Sequence, residues 1–183
     1  MKFKIIVSTL IFLIFTQFIF SQETPKSSEQ ILDNAFKTAQ IENKNVFVVF
    51  KASWCGWCKK MESNINNEAV NNYFTANYEI VYLTVLESAN NKHLENPGAE
   101  ALLIKYEGND EGIPFYLIFD SEANLLADSK MIAGEAILKG EGDNIGCPAS
   151  PDEVDAFIYK IQQTSNLKPR ELKLIAQQFL VNK

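Results

Sequence analysis

The stretch VFVVFKASWCGWCKKME, residues 46–62, decides the fold of this chain. Its first five residues, Val46–Phe50, are all β-branched or aromatic, with no polar residue between them. Such a run is typical of a central strand that is buried on both faces. At the two cysteines the composition changes to residues that favour a helix. The sequence therefore places Cys55 and Cys58 where a buried strand ends and a helix begins.

A pair of cysteines at the start of a helix has a characteristic chemistry. Unpaired backbone N–H groups and the positive end of the helix dipole stabilise a thiolate there, and Cys-X-X-Cys settings lower the thiol pKa from about 8.5 to roughly 3.5–7.5. We expect Cys55 to be the exposed nucleophile and Cys58, one turn later, to face inward as the resolving thiol. Cys55 would attack a substrate disulfide, and Cys58 would then attack Cys55 to release the product. This sequence of steps is thiol–disulfide exchange.

The rest of the chain alternates between helices and strands. Segment 28–42 carries apolar residues at i, i+3, i+4 and i+7, which is the spacing of one helical face. A capping box formed by Ser150 and Glu153 predicts a helix from Pro151. The other predicted elements are a short helix at 68–76, a strand at 79–85, a polar stretch at 87–97, a helix at 99–106, a strand at 115–119, a partner strand from 125 and a last helix at 169–181. This order predicts an α/β layer architecture.

The N-terminus has the pattern of an export signal. Lys2 and Lys4 precede the apolar run Ile5–Phe20, and the chain turns polar immediately afterwards. This layout predicts a secretory signal peptide at residues 1–21, leaving 22–183 as the mature protein, periplasmic or secreted. The alternative is an uncleaved membrane anchor, but the run is shorter than the roughly 20 residues that span a bilayer.

Composition narrows the classes of partner. The chain has 183 residues, of which 46% are hydrophobic, so it can bury one sizeable core. Its formal net charge of −6, with no basic run, argues against nucleic acid as a partner. We expect a monomer that needs no cofactor.

Several pieces in order make the chain resemble the thioredoxin superfamily. Residues Trp54–Lys59 are similar to the family's Trp-Cys-Gly-X-Cys-Lys active site, and Gly112–Pro114, followed by a β run, resembles its cis-proline segment. The resemblance implies a thioredoxin fold, a central mixed sheet flanked by helices, with an N-terminal helix and an extra C-terminal helix. It places the domain core at about 28–163 and a helical extension at 164–183.

The resemblance also implies a substrate site. Pro114 would lie beside the dithiol, and the backbone of Ile113 would pair with an extended substrate strand. Trp54, Gly56 and Trp57 would complete the contact surface, the two indoles forming an apolar platform. The alternative for the two tryptophans is that they are core residues.

One position departs from the family pattern. Thioredoxins proper carry a buried acid six residues before the first cysteine, and this chain has Val49 there. Either another group, water or Glu62, handles the proton of Cys58, or the redox behaviour of the chain differs from that of thioredoxin. Lys51 either adds positive charge near Cys55 or is simply a solvated lysine at the end of a strand.

The cysteines also have interpretations other than exchange. A structural zinc site needs four Cys or His ligands, and only Cys147 and His93 remain to complete one. We therefore expect no metal. Cys147 is expected to be a buried structural thiol, the alternative being a regulatory or intermolecular disulfide. His93 is expected to be an exposed loop residue, the alternative being a catalytic role.

The expected function is a thiol–disulfide oxidoreductase that acts on exported proteins. No histidine stands between the cysteines to stabilise the thiolate as in the oxidants of this superfamily, which favours a reductase. The family resemblance and the signal peptide together imply that a membrane thiol–disulfide electron shuttle supplies its electrons. A disulfide oxidase or isomerase remains an alternative. So does a thioredoxin-fold binding or chaperone module whose disulfide is purely structural.

Overall fold

The computed structural model describes residues 24–182, so the predicted signal peptide lies outside the described residues. The helices are α1 Ser28–Glu42, α2 Gly56–Ile65, α3 Asn71–Asn77, α4 Ala99–Lys105, α5 Pro151–Gln163 and α6 Pro169–Leu180, with a 3₁₀ helix at Ala89–Leu94. The strands are β1 Asn45–Lys51, β2 Tyr78–Thr84, β3 Phe115–Phe119, β4 Leu125–Asp128, β5 Lys130–Met131 and β6 Asp143–Asn144. Within residues 24–182 no helix is long and apolar enough to cross a membrane.

The main sheet has four strands in the order β2-β1-β3-β4. Strand β1 runs parallel to β2 and antiparallel to β3, which pairs antiparallel with β4. The prediction of a central, doubly buried strand at 46–50 is confirmed, since all five residues are buried. The predicted mixed sheet flanked by helices is confirmed as well.

Two hydrophobic clusters lie on opposite faces of this sheet, because successive side chains of a strand point to opposite sides. Phe47 and Val49 join the cluster under α2, α5 and α6. Val48 and Phe50 join the cluster under α1 and α4. The carboxyl end of β1 therefore meets the start of α2 above a core that is filled on both sides.

The extra C-terminal helix packs into this core. Phe179 of α6 is fully buried, its ring centroid 4.9 Å from that of Phe157 on α5 and 6.4 Å from that of Phe74 on α3. Beyond the helix, the side chain of Asn182 accepts a hydrogen bond of 2.9 Å from Asn64 of α2. The end of the chain is thus attached to the helix that follows the cysteines.

The short helix predicted at 68–76 begins later than expected, at Asn71. Asn67 starts a turn instead, because its carbonyl accepts from the backbone N–H groups of Val70 and Asn71 and its side chain accepts from that of Ala69. The 3₁₀ helix within the predicted polar stretch and the small β5–β6 pair had no counterpart in the sequence prediction.

Candidate active site

Cys55 and Cys58 form a disulfide at the start of α2, with their Cα atoms 5.3 Å apart. Cys55 is the N-cap residue of this helix, and its sulfur accepts a hydrogen bond of 3.0 Å from the backbone N–H of Cys58. The expectation that Cys55 is exposed is wrong for this disulfide form: Cys55 is 3% exposed and Cys58 1%. The reason is packing, since both sulfur-bearing residues cluster with Ala52 and against Ile113.

A proline loop lies against the disulfide. The peptide bond between Ile113 and Pro114 is cis, and the carbonyl oxygen of Ile113 lies 3.5 Å from the sulfur of Cys55. The side-chain amide nitrogen of Asn144 lies 3.2 Å from the carbonyl oxygen of Gly112 and 3.1 Å from that of Pro114. Asn144 thus ties this loop to β6, a contact that no sequence pattern indicated.

Two tryptophans border the disulfide on its solvent side. Trp54 is 58% exposed and Trp57 50%, although both are large apolar residues. The indole N–H of Trp54 donates a hydrogen bond of 2.8 Å to the carbonyl of Leu86. The Nζ atom of Lys60 lies 5.2 Å from the ring centroid of Trp57. The interpretation of the two rings as core residues is therefore wrong. Gly56, between the tryptophans, has open space where a Cβ would stand.

An ion pair stands near Cys58. Lys51 and Glu62 approach to 2.7 Å, and the Lys51 ammonium lies 4.7 Å from the ring centroid of Tyr82. Burial, together with the charge of Glu62, raises the pKa of Tyr82 to about 12. A cavity of about 330 Å³ is lined by Lys51, Glu62 and Cys58. Lys51 is therefore a paired, half-buried residue, while Val49 is fully buried.

A buried carboxylate supports the turn before Cys55. Glu87 is only 4% exposed, and its two carboxylate oxygens accept hydrogen bonds from the backbone N–H and the hydroxyl of Ser53, at 2.5 and 2.7 Å. Sequence reasoning placed Glu87 only at the edge of a polar stretch. The 34 residues that separate the two partners leave no local signal of this contact.

A thioredoxin-like family model matches residues 28–121, which include β1, both cysteines and Pro114. The chain belongs to the thioredoxin-like family. Family membership and the Cys55–Cys58 pair at the start of a helix together make it a thiol–disulfide oxidoreductase.

Solved structures are similar to this thioredoxin-like chain at low identity. One is a disulphide isomerase from Xylella fastidiosa Temecula1, with 17% identity over 61% of this chain and 77% of that chain, at a TM-score of 0.45. A second is DsbH oxidoreductase, with 17% identity over 79% and 85% of the two chains, at 0.45. A third is the oxidised C-terminal domain of DsbD from Neisseria meningitidis, with 21% identity over 76% and 98%, at 0.42. No protein with a curated description matches the chain.

The remaining two candidate residues lie outside the exchange site of this thioredoxin-like protein. Cys147 is a buried free thiol, as expected, and burial raises its pKa to about 12. Its sulfur lies 3.5 Å from the side-chain nitrogen of Asn182. His93 is exposed, as expected, but belongs to the 3₁₀ helix. In the part of the chain that the structure describes, no three His, Cys, Asp or Glu residues are grouped to hold a metal ion.

Proposed function

We propose that this protein reduces disulfides in exported proteins, with Cys55 as the nucleophile and Cys58 as the resolving thiol. The observation that carries the proposal is the position of Cys55 as the N-cap residue of α2, its sulfur facing the backbone N–H of Cys58 at 3.0 Å. In the reduced protein the same N–H and the helix dipole stabilise a thiolate on Cys55. Cys58 lies within the first turn of α2 rather than at its cap and is 1% exposed.

The reaction moves two electrons from the dithiol to the substrate. The Cys55 thiolate attacks one sulfur of the substrate disulfide, which breaks that bond and releases a first substrate thiolate. Cys58 then loses its proton and attacks the sulfur of Cys55, which releases the second substrate thiolate and forms the Cys55–Cys58 disulfide. Both substrate thiolates take up protons. The cycle closes when a partner dithiol, here a membrane thiol–disulfide electron shuttle, reduces the enzyme again.

The surroundings of the disulfide fit a polypeptide substrate. Trp54 and Trp57 offer exposed aromatic area beside the sulfurs, and such rings bind apolar side chains well. In this proposal the backbone of Ile113, whose carbonyl oxygen lies 3.5 Å from the sulfur of Cys55, pairs with an extended substrate chain beside Pro114. Gly56 leaves the approach between the two indoles open.

Glu62 takes the proton of Cys58 in this proposal. Its carboxylate lies one helical turn after Cys58 on α2, and both line the same cavity of about 330 Å³. A general base must reach its proton directly or through one water, and a cavity of this size holds water. Lys51 holds the Glu62 carboxylate in position through their 2.7 Å ion pair.

The proposed direction is tested by a redox titration of the dithiol against glutathione. Reductants of this kind lie near −270 mV and oxidants near −120 mV. We expect a value near the reducing end. A value near −120 mV would overturn the reductase in favour of an oxidase.

Insulin reduction distinguishes the enzyme from a binding module. We expect activity in the wild type, none in Cys55→Ala, and wild-type activity in the matched control Cys147→Ala. Equal insulin reduction by the wild type and Cys55→Ala would leave only the binding module with a structural disulfide. The variant Cys58→Ala should accumulate mixed disulfides with exported proteins through Cys55, and the failure of such adducts to form would refute the assigned roles.

A further inference from the structure

Three hydrogen bonds join the segment after β2 to the turn before Cys55. The carbonyl of Leu86 accepts from the Trp54 indole at 2.8 Å. The carboxylate of Glu87 accepts from the backbone N–H and the hydroxyl of Ser53 at 2.5 and 2.7 Å. We call Leu86 and Glu87 the clamp. It holds the two residues that immediately precede the nucleophile.

A further hydrogen bond holds the backbone of the clamp in place. Leu86 has a φ of +53°, a left-handed conformation that a leucine rarely adopts. The next backbone N–H, that of Glu87, donates 2.7 Å to the carboxylate of Glu95, which also pairs with Lys92 at 2.7 Å. A strained backbone position persists only where its surroundings hold it in place. These bonds supply that restraint.

The carboxylate of Glu87 is buried without a cationic partner in the part of the chain that the structure describes. Among residues 24–182 no Lys, Arg or His nitrogen lies within salt-bridge distance of it. A buried charge is costly unless hydrogen bonds satisfy it, and Ser53 supplies two such bonds. The nearest charged residues of the same segment, Glu95 and Lys92, are already paired with each other.

We propose that Glu87 is a positioning residue of the exchange site. Through Ser53 and the adjoining Leu86 carbonyl, it holds Trp54 in its substrate-binding orientation. Its carboxylate also places a fixed negative charge behind the turn that leads to Cys55. This inference rests on the proposed function and deepens it. An indole already held in place loses less conformational freedom when a substrate binds. The fixed negative charge disfavours the thiolate of Cys55. The reduced form of the protein is therefore less stable, which makes the dithiol a stronger reductant.

Two substitutions separate position from charge. Glu87→Gln has nearly the same shape and still accepts one bond from Ser53, but it carries no charge. Glu87→Ala removes both the bonds and the charge. Glu68→Gln, at an exposed acid, is the control for a change of one charge elsewhere.

The first readout is independent of activity. In the wild type, hydrogen exchange at the indole N–H should be slower for Trp54 than for Trp57, whose indole has no partner among the described residues. We expect Glu87→Ala to speed exchange at Trp54 at least tenfold without changing Trp57, and Glu87→Gln to retain the protection. Unchanged exchange at Trp54 in Glu87→Ala would overturn the positioning role.

The second readout combines the kinetics of insulin reduction with the redox equilibrium against glutathione. With insulin as the substrate, Glu87→Ala should raise KM at least fivefold while kcat stays within twofold. Glu87→Gln should keep the wild-type KM but shift the equilibrium with glutathione at least threefold toward the reduced protein, which is about 14 mV. Glu68→Gln should match the wild type in both. Wild-type values of KM in Glu87→Ala, or of the equilibrium in Glu87→Gln, would refute the respective half of the inference.

A milder substitution tests the same contact in case Glu87→Ala fails to fold. Ser53→Ala removes only the hydroxyl bond and leaves Glu87 in place, so we expect a smaller rise of KM than in Glu87→Ala. A rise as large as that of Glu87→Ala would show that the carboxylate adds nothing beyond the hydroxyl. If wild-type protein fails to reduce insulin, the proposed function fails, whereas hydrogen exchange at Trp54 still tests the clamp.

Discussion

The buried lysine on α5 makes the free energy of unfolding depend on pH, by an amount that follows from its pKa in the folded and unfolded chain. Lys160 is fully buried, and its ammonium donates hydrogen bonds of 3.0 and 2.7 Å to the carbonyls of Ile137 and Leu138. Asp128 lies 3.9 Å from it. Burial lowers the pKa of Lys160 from 10.5 to about 8, the charge of Asp128 opposing this only in part.

The sign of the effect follows from proton uptake. Between pH 8 and 10.5 the unfolded chain holds a proton on Lys160 that the folded chain has lost, so raising the pH there favours folding. With these two pKa values the contribution of this lysine to the free energy of unfolding rises by about 2 kcal/mol from pH 8 to pH 10. Well below pH 8 both states are protonated and the contribution is constant.

The measurement is urea unfolding at pH 8, 9 and 10 for the wild type and for Lys160→Met. The phenols and the thiol also titrate in this range in the unfolded chain, so the difference between the two proteins isolates the lysine. We expect that difference to change by about 2 kcal/mol in favour of the wild type. Lys160→Arg stays charged throughout, so the pH dependence of its stability should match that of Lys160→Met. Lys173→Met, at an exposed lysine of α6, should show the pH dependence of the wild type. Parallel curves for the wild type and Lys160→Met would refute the lowered pKa.

Three further outcomes are expected. Phe179→Ala should lower the free energy of unfolding by about 3–5 kcal/mol because it empties a fully buried ring site, whereas Val181→Ala, which is exposed, should change it by less than about 0.5 kcal/mol in urea titrations. In the reduced protein at pH 8, iodoacetamide should modify Cys55 but not Cys147 until urea is added, since burial raises the pKa of Cys147 to about 12; rapid labelling of Cys147 in mass spectra of the folded protein would contradict this. Glu62→Gln should slow the resolution of mixed disulfides by about a hundredfold or more in stopped-flow traces, because a general base is lost; an unchanged rate would assign the proton to water.

The strand–cysteine–helix unit was predictable because its signals are local. The apolar run 46–50 is typical of a strand covered on both faces, and the change of composition at Cys55 indicates the helix start. Helix α1 was predicted with its observed bounds, since its apolar spacing lies within one segment. In the same way the capping box at Ser150 identified the start of α5.

Tertiary structure alone decided how the site is supported. Glu87 reaches Ser53 across 34 residues and Asn144 reaches Pro114 across 30, and the sulfur of Cys55 is covered by Ile113 rather than exposed. The buried position of Lys160 depends in the same way on two carbonyls more than 20 residues away. Periodicity and capping report on neighbours along the chain, because they arise from hydrogen bonds and side-chain spacing within one element. Contacts between distant segments arise only when the sheet brings those segments together, so their partners carry no mark in the sequence.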